Sequence, residues 1–189
     1  MASNRIMSAI LAATCLALAL SFAACGGGDD SGGADTAALE REHDVEVLNQ
    51  ILTRQRAAVD AFDRVLPDLR GRALALATSF RSQEQEHIVA VLEALRGLGG
   101  AEEAESEEIA SGTLQNEADR LRFLYEIESA TIEDEIGAIG RLDYGRPRAL
   151  LAATVANQAQ HLVLLRRALG LKPTEWVPSP FENGATPAP

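Results

Sequence analysis

Two pairs of residues in this chain have the types and the spacing to converge on one point. Glu84 and His87 stand three apart, and so do Gln158 and His161, with the second pair at an offset of 74 from the first. Residues three apart share one face of a helix, so each pair would aim both its side chains the same way. The chain has only three histidines. The third, His43, lies ahead of the apolar seam and reads as exposed. Gln55 and Glu128, offset by 73, add one polar group each to two further apolar-periodic segments. A carboxylate stranded in an apolar core costs several kcal/mol unless it is paired. These side chains must therefore satisfy one another or hold a cation.

Four segments of helical period position them. The first runs roughly from Asp35 to Leu66, with Leu48, Ile51, Leu52, Val59 and Phe62 on one face, and stops at Pro67. The second runs roughly from Arg72 to Leu98, with Leu76, Phe80, Val91 and Leu95 inward and glycines at its end. The third starts near Thr113 as N-cap and continues to about Leu142. The fourth begins with Pro147 in its first turn and ends at Gly170, burying Leu151, Val155, Leu162, Leu165 and Leu169. Each seam carries its polar group near mid-length. The common offset makes the chain two helix hairpins of one design. Short turns predict an up-down-up-down antiparallel bundle. The Glu-rich stretch 101–112 reads as a solvated acidic loop, and either a modest loop or a long crossover fits it.

This pattern resembles the ferritin-like superfamily, whose bundles draw a Glu from each of two helices and Glu-x-x-His from each of the other two. Leu48-Asn49-x-x-Leu52 before Gln55, and Leu98-Gly99-Gly100 after the second helix, are similar to secreted bacterial proteins carrying a ferritin-like domain. The likeness covers roughly residues 40–170. It implies a metal site with Glu84, His87, Glu128 and His161 as ligands. Gln55 and Gln158 stand where the family has Glu, and become weak ligands or hydrogen-bonding supports. Four carboxylates balance two divalent ions, whereas Glu84 and Glu128 alone balance one. A neutral amide does not bridge two metals, so two-metal oxygen activation of the ferroxidase type is not expected and no catalytic residue is assigned. Three readings stay open: one divalent ion (Fe, Mn or Zn) in the core; a metal-free structural or protein-interaction bundle whose polar groups close on one another; or a di-metal oxidase drawing on nearby spare carboxylates. Glu135, two turns and about 10 Å from Glu128, reads as surface charge together with Glu86 and Glu133. Tyr125 reads as a core side chain rather than a redox group.

The N-terminus points to export. Residues 6–22 are almost continuously apolar, the length of a secretory core and short for a membrane span. Phe22-Ala23-Ala24-Cys25 is similar to a bacterial lipobox, which would remove residues 1–24 as a signal peptide and leave Cys25 lipidated. A Gly/Asp/Ser tether over 25–35 would then hold the bundle, 36–171, off the outer face of the cell membrane. A Pro-rich tail, 172–189, reads as extended, with Trp176 and Phe181 anchoring it. The only other cysteine, Cys15, lies inside the signal, so the mature domain has no disulfide.

Composition sets the outer bounds. The 189 residues carry 17 Lys and Arg against 28 Asp and Glu, a net charge of -11 with no basic stripe, which argues against nucleic acid as a partner. At 47% hydrophobic but only 4% aromatic, the chain favours packed helices over a β-sandwich. There is neither a Gly-rich phosphate loop nor a Ser/His/Asp arrangement. The membrane, through Cys25, is the expected partner. A small oligomer is compatible with a lipid tether, and a closed cage is not expected.

Overall fold

The computed structural model describes residues 31–104 and 108–176; the expected signal peptide, Cys25, the start of the tether and Phe181 lie outside them. Four helices account for most of these residues: α1 (Ser31–Val65), α2 (Gly71–Gly97), α3 (Glu117–Arg141) and α4 (Gly145–Ala168). The described residues contain no strand. None of their helices is long and apolar enough to cross a membrane. The all-α bundle is the one the sequence predicts. Helix α1 starts earlier than expected and takes in residues 31–35 of the proposed tether.

Each helix buries a seam at helical spacing. In α1, Leu48, Ile51, Leu52, Gln55, Phe62 and Val65 are buried; in α2, Ala73, Ala77, Phe80, Glu84, Val91 and Leu95. The N-cap of α3 lies three residues later than Thr113, at Asn116, whose side-chain oxygen accepts from the Asp119 N–H at 2.9 Å. The α3–α4 turn is closed by Asp44 of α1, fully buried, whose carboxylate accepts from the backbone N–H groups of Asp143 (2.7 Å) and Tyr144 (3.0 Å).

The order of directions differs from strict alternation. Asp44, near the start of α1, meets the end of α3, while Asp68, just past the end of α1, pairs with Arg120 at the start of α3, 2.9 Å away. Helix α3 is therefore antiparallel to α1. Since α1 and α2 also form a hairpin, α2 and α3 run in the same direction and the connection between them crosses the length of the bundle. Packed neighbours remain antiparallel throughout, but the path is up-down-down-up.

The Glu-rich crossover is tied to α1 rather than merely solvated. The Asn49 amide donates to Ala101 O at 3.1 Å and accepts from Glu103 N at 2.9 Å. Arg56 binds Glu102, and Arg64 donates to Ile109 O at 2.6 Å. Ala104, Ile109 and Leu114 pack on the core beneath. At the far end, Pro173–Glu175 forms a 3-10 turn where an extended tail is expected. Trp176 docks there, its indole N–H donating to Leu171 O at 2.7 Å under the Arg167 guanidinium.

Candidate metal centre

The apolar core comes in two halves. One gathers Phe62, Leu69, Phe80, Leu124 and Leu165; the other gathers Leu48, Leu52, Val91, Leu95 and Leu151. Between them lies a polar layer with contributions from all four helices: Gln55 from α1, Glu84 from α2, Glu128, Thr131 and Glu135 from α3, and Thr154, Gln158 and His161 from α4, every one buried. The apolar halves on either side exclude water, so each of these polar atoms must find its partner inside the layer.

Three of the expected ligands meet. The His161 Nδ1 atom is 3.0 Å from Glu128 Oε1 and 3.6 Å from Glu84 Oε1, and one donor atom from each residue falls within 4.8 Å of the others. Two atoms bonded to one first-row ion at ~2.1 Å would lie about 3.0–3.4 Å apart, close to these separations. His87 stands beside the group: its Nδ1 is 3.4 Å from Glu84 Oε2. Gln158 Nε2 donates to Glu84 Oε2 at 3.1 Å. The His161 ring is stacked on Phe80, centroids 3.8 Å apart, which fixes its plane.

Seven buried side-chain atoms among the described residues have no hydrogen-bond partner, and all seven are in this layer or at its edge: Oε1 of Gln55, Glu84 and Gln158, Oε2 of Glu128 and Glu135, Oδ1 of Asn157 and Nδ1 of His87. Six are oxygens. Such a surplus of acceptors is not a closed hydrogen-bond network; lone pairs facing one another call for positive charge. Glu84, Glu128 and His161 fit one N/O-coordinated divalent ion. Glu135 adds a third buried carboxyl to the layer, while Gln55 and Gln158 are neutral and supply no carboxylate bridge to a second ion.

In the absence of a cation, protons take part of that role. Burial, then the charges of Glu84 and Glu135, hold the Glu128 carboxyl well above the ordinary carboxylate range. Burial likewise pushes Glu135 up to about 8, against the lowering effect of its hydrogen bond from Gln55. The His161 imidazole is driven down to about 4 by burial, which outweighs the opposing pull of Glu84. The raised Glu128 and the lowered His161 both favour their neutral forms, which leaves one proton between two atoms 3.0 Å apart.

Glu135 corrects the sequence reading. It is fully buried rather than surface charge, and accepts from Gln55 Nε2 at 2.9 Å. Two turns of helix are seven residues, which returns the side chain to the same face, so the 10 Å step along the axis keeps it in the core. Glu86 and Glu133 are exposed, as expected. His43 is half-buried, 3.2 Å from Arg141 O. Tyr125 is half-buried as well, and its hydroxyl accepts from Arg166 at 2.7 Å. Gln83 and Asn157 had no signal as single polar residues, though they too are repeat mates at an offset of 74.

Four helices in this order, with a crossover between the hairpins and a buried Glu/Glu/His group at mid-bundle, make this a ferritin-like fold. The chain superposes on a ferritin-like, diiron-carboxylate protein from Bacillus anthracis strain Ames with a TM-score of 0.58 at 19% identity, covering 69% of this chain and 97% of that one. It superposes on a conserved hypothetical protein from Mycobacterium tuberculosis with a TM-score of 0.61 at 17% identity, covering 71% and 95%. At these identities the likeness is one of fold. No protein-family model matches the chain, and no curated protein matches it in sequence.

Proposed function

We propose that this protein is a ferritin-like bundle that binds one divalent ion between Glu84, Glu128 and His161, anchored by a lipid on Cys25 at the outer face of the cell membrane. The observation that carries the cation is the set of unpaired buried acceptors around those three residues. The competing reading is a metal-free structural or protein-interaction bundle, in which protons on Glu128 and Glu135 take the place of the cation. Glu84 and Glu128 supply the two charges that balance a divalent ion, His161 supplies a neutral nitrogen, and Gln158 orients Glu84 from behind. Oxygen and imidazole donors without sulfur suit Fe, Mn or Zn. When bound, such an ion supplies Lewis acidity and, for Fe or Mn, one-electron redox capacity.

The anchor rests on the sequence alone: an apolar leader, small residues before Cys25 and a Gly-rich segment after it. Calorimetric titration of the metal-free full-length protein with Zn²⁺ tests the cation reading. The expected stoichiometry is near one, with at least a tenfold loss of affinity in Glu128→Gln or His161→Ala. Binding that is unaffected by either substitution would place any site elsewhere.

A further inference from the structure

The two hairpins meet face to face at the middle of α2 and α4. Gln83 and Asn157 are repeat mates, as are Glu84 and Gln158, and each residue hydrogen-bonds to its own mate: Asn157 Nδ2 donates to Gln83 Oε1 at 2.9 Å, and Gln158 Nε2 to Glu84 Oε2 at 3.1 Å. A pseudo-twofold axis of the repeat therefore passes between α2 and α4 at this level. It should relate His87 to His161, yet their surroundings differ. His161 Nε2 is 3.0 Å from Gln83 Oε1. The mirrored contact, from Asn157 to His87, is not made: Asn157 Oδ1 and His87 Nδ1 are both buried without a hydrogen-bond partner. Asparagine is one methylene shorter than glutamine.

The Gln83 amide is held from both ends. Its Nε2 donates to Ser79 Oγ at 3.3 Å, and its Oε1 accepts from Asn157. An oxygen set this way accepts a second hydrogen from His161, which places the ring proton on Nε2 and leaves the Nδ1 lone pair facing Glu84 and Glu128. A ring with its proton on Nδ1 would aim that proton at the cation.

We propose that Gln83, set by Asn157, is a positioning residue that fixes His161 as the Nε2–H tautomer with Nδ1 toward the cation, and that the shorter Asn157 leaves His87 without the same support. One member of a duplicated Glu/Gln-x-x-His pair is thus made the ligand and the other is released. The inference rests on the cation reading above for its consequence, but the tautomer belongs to the metal-free protein and is measured there.

Long-range ¹H–¹⁵N NMR of the metal-free, ¹⁵N-labelled full-length protein in mild detergent reads the tautomer of His161 directly. The wild type should show Nε2–H only. Gln83→Leu should show a mixture, and Gln83→Glu, which keeps an accepting oxygen, should restore Nε2–H. Asn157→Gln should reach His87 and give it a single tautomer as well. Titrated with Zn²⁺, Gln83→Leu should bind about 10–100-fold more weakly than the wild type, the usual effect of removing the partner of a ligating histidine. An Nδ1–H tautomer in the wild type, or an unchanged Nε2–H in Gln83→Leu, would overturn the proposal. Correct tautomers without Zn²⁺ binding in the wild type would leave Gln83 its positioning role and sink the cation reading instead.

Discussion

Glu128, Glu135 and His161 give the cation-free centre a pH dependence of definite sign. Glu135 keeps its proton up to about pH 8 when folded and gives it up near 4.5 when unfolded, so the folded state holds more protons between those values. Its contribution is greatest below the unfolded value and is lost as pH rises towards 8. Glu128 acts in the same direction. His161, lowered to about 4, acts oppositely, but only below its ordinary value of 6.5. From pH 6.5 to 8, Glu135 sets the sign. In chelator, the melting temperature should fall across that window, and Glu135→Gln should flatten the fall; a rise would contradict the account. A bound cation replaces the protons, so its stabilisation should grow over the same range. Restoring charge with Gln55→Glu and Gln158→Glu together should raise metal content from one ion per chain towards two, read by elemental analysis. At this scale the sequence was informative where polar residues sat three apart beside a histidine. Glu135 lies about 10 Å along the axis from Glu128, which hides it from a reading by distance, but seven residues return it to the same face. Thr154, and not the half-buried Val155, takes the inward position on α4, because 154 lies four residues before Gln158 and seven before His161 on the buried face, and register outweighs the apolar type of its neighbour.

Among the elements, the crossover rests on a close approach. Helix α2 ends in a Schellman turn, with Gly99 at φ 74° and Gly100 N donating to Leu95 O at 2.9 Å. Gly100 then passes α1 so closely that a Cβ there would lie 2.5 Å from a Val45 methyl. Valine in a helix has almost no freedom to turn away. Gly100→Ala should cost about 1–3 kcal/mol in chemical denaturation, the range for overpacking, and Val45→Ala in the same chain should recover most of it. If the two effects simply add, the crossover does not sit against α1 as described. The four helices were legible because their apolar period continues for many turns. The direction of the second hairpin was not, since residues 98–116 are long enough to serve either topology. What decides it is tertiary: the Asn49 clamp on Ala101 and Glu103, and the half-buried Ile109 and Leu114 that follow. Leu48-Asn49-x-x-Leu52 and Leu98-Gly99-Gly100, far apart in the chain, are the two sides of that one contact.

For the whole molecule, the proposed anchor and the centre are separable. Cys25→Ser should move the protein from the membrane fraction to the soluble fraction while leaving metal content and melting temperature unchanged; retention in the membrane fraction would point to attachment by other means. The net charge of -11 favours separated chains in solution, and light scattering should show a small species and no closed shell. The central claim is that a ferritin-like bundle with neutral glutamines at positions 55 and 158 of its polar layer holds a single ion. Elemental analysis of the full-length protein, purified without chelator beside His161→Ala, tests it most directly. About one ion of Fe, Mn or Zn per chain, absent from the variant, is the predicted result. No metal in either protein, with the wild type the more stable, would contradict it.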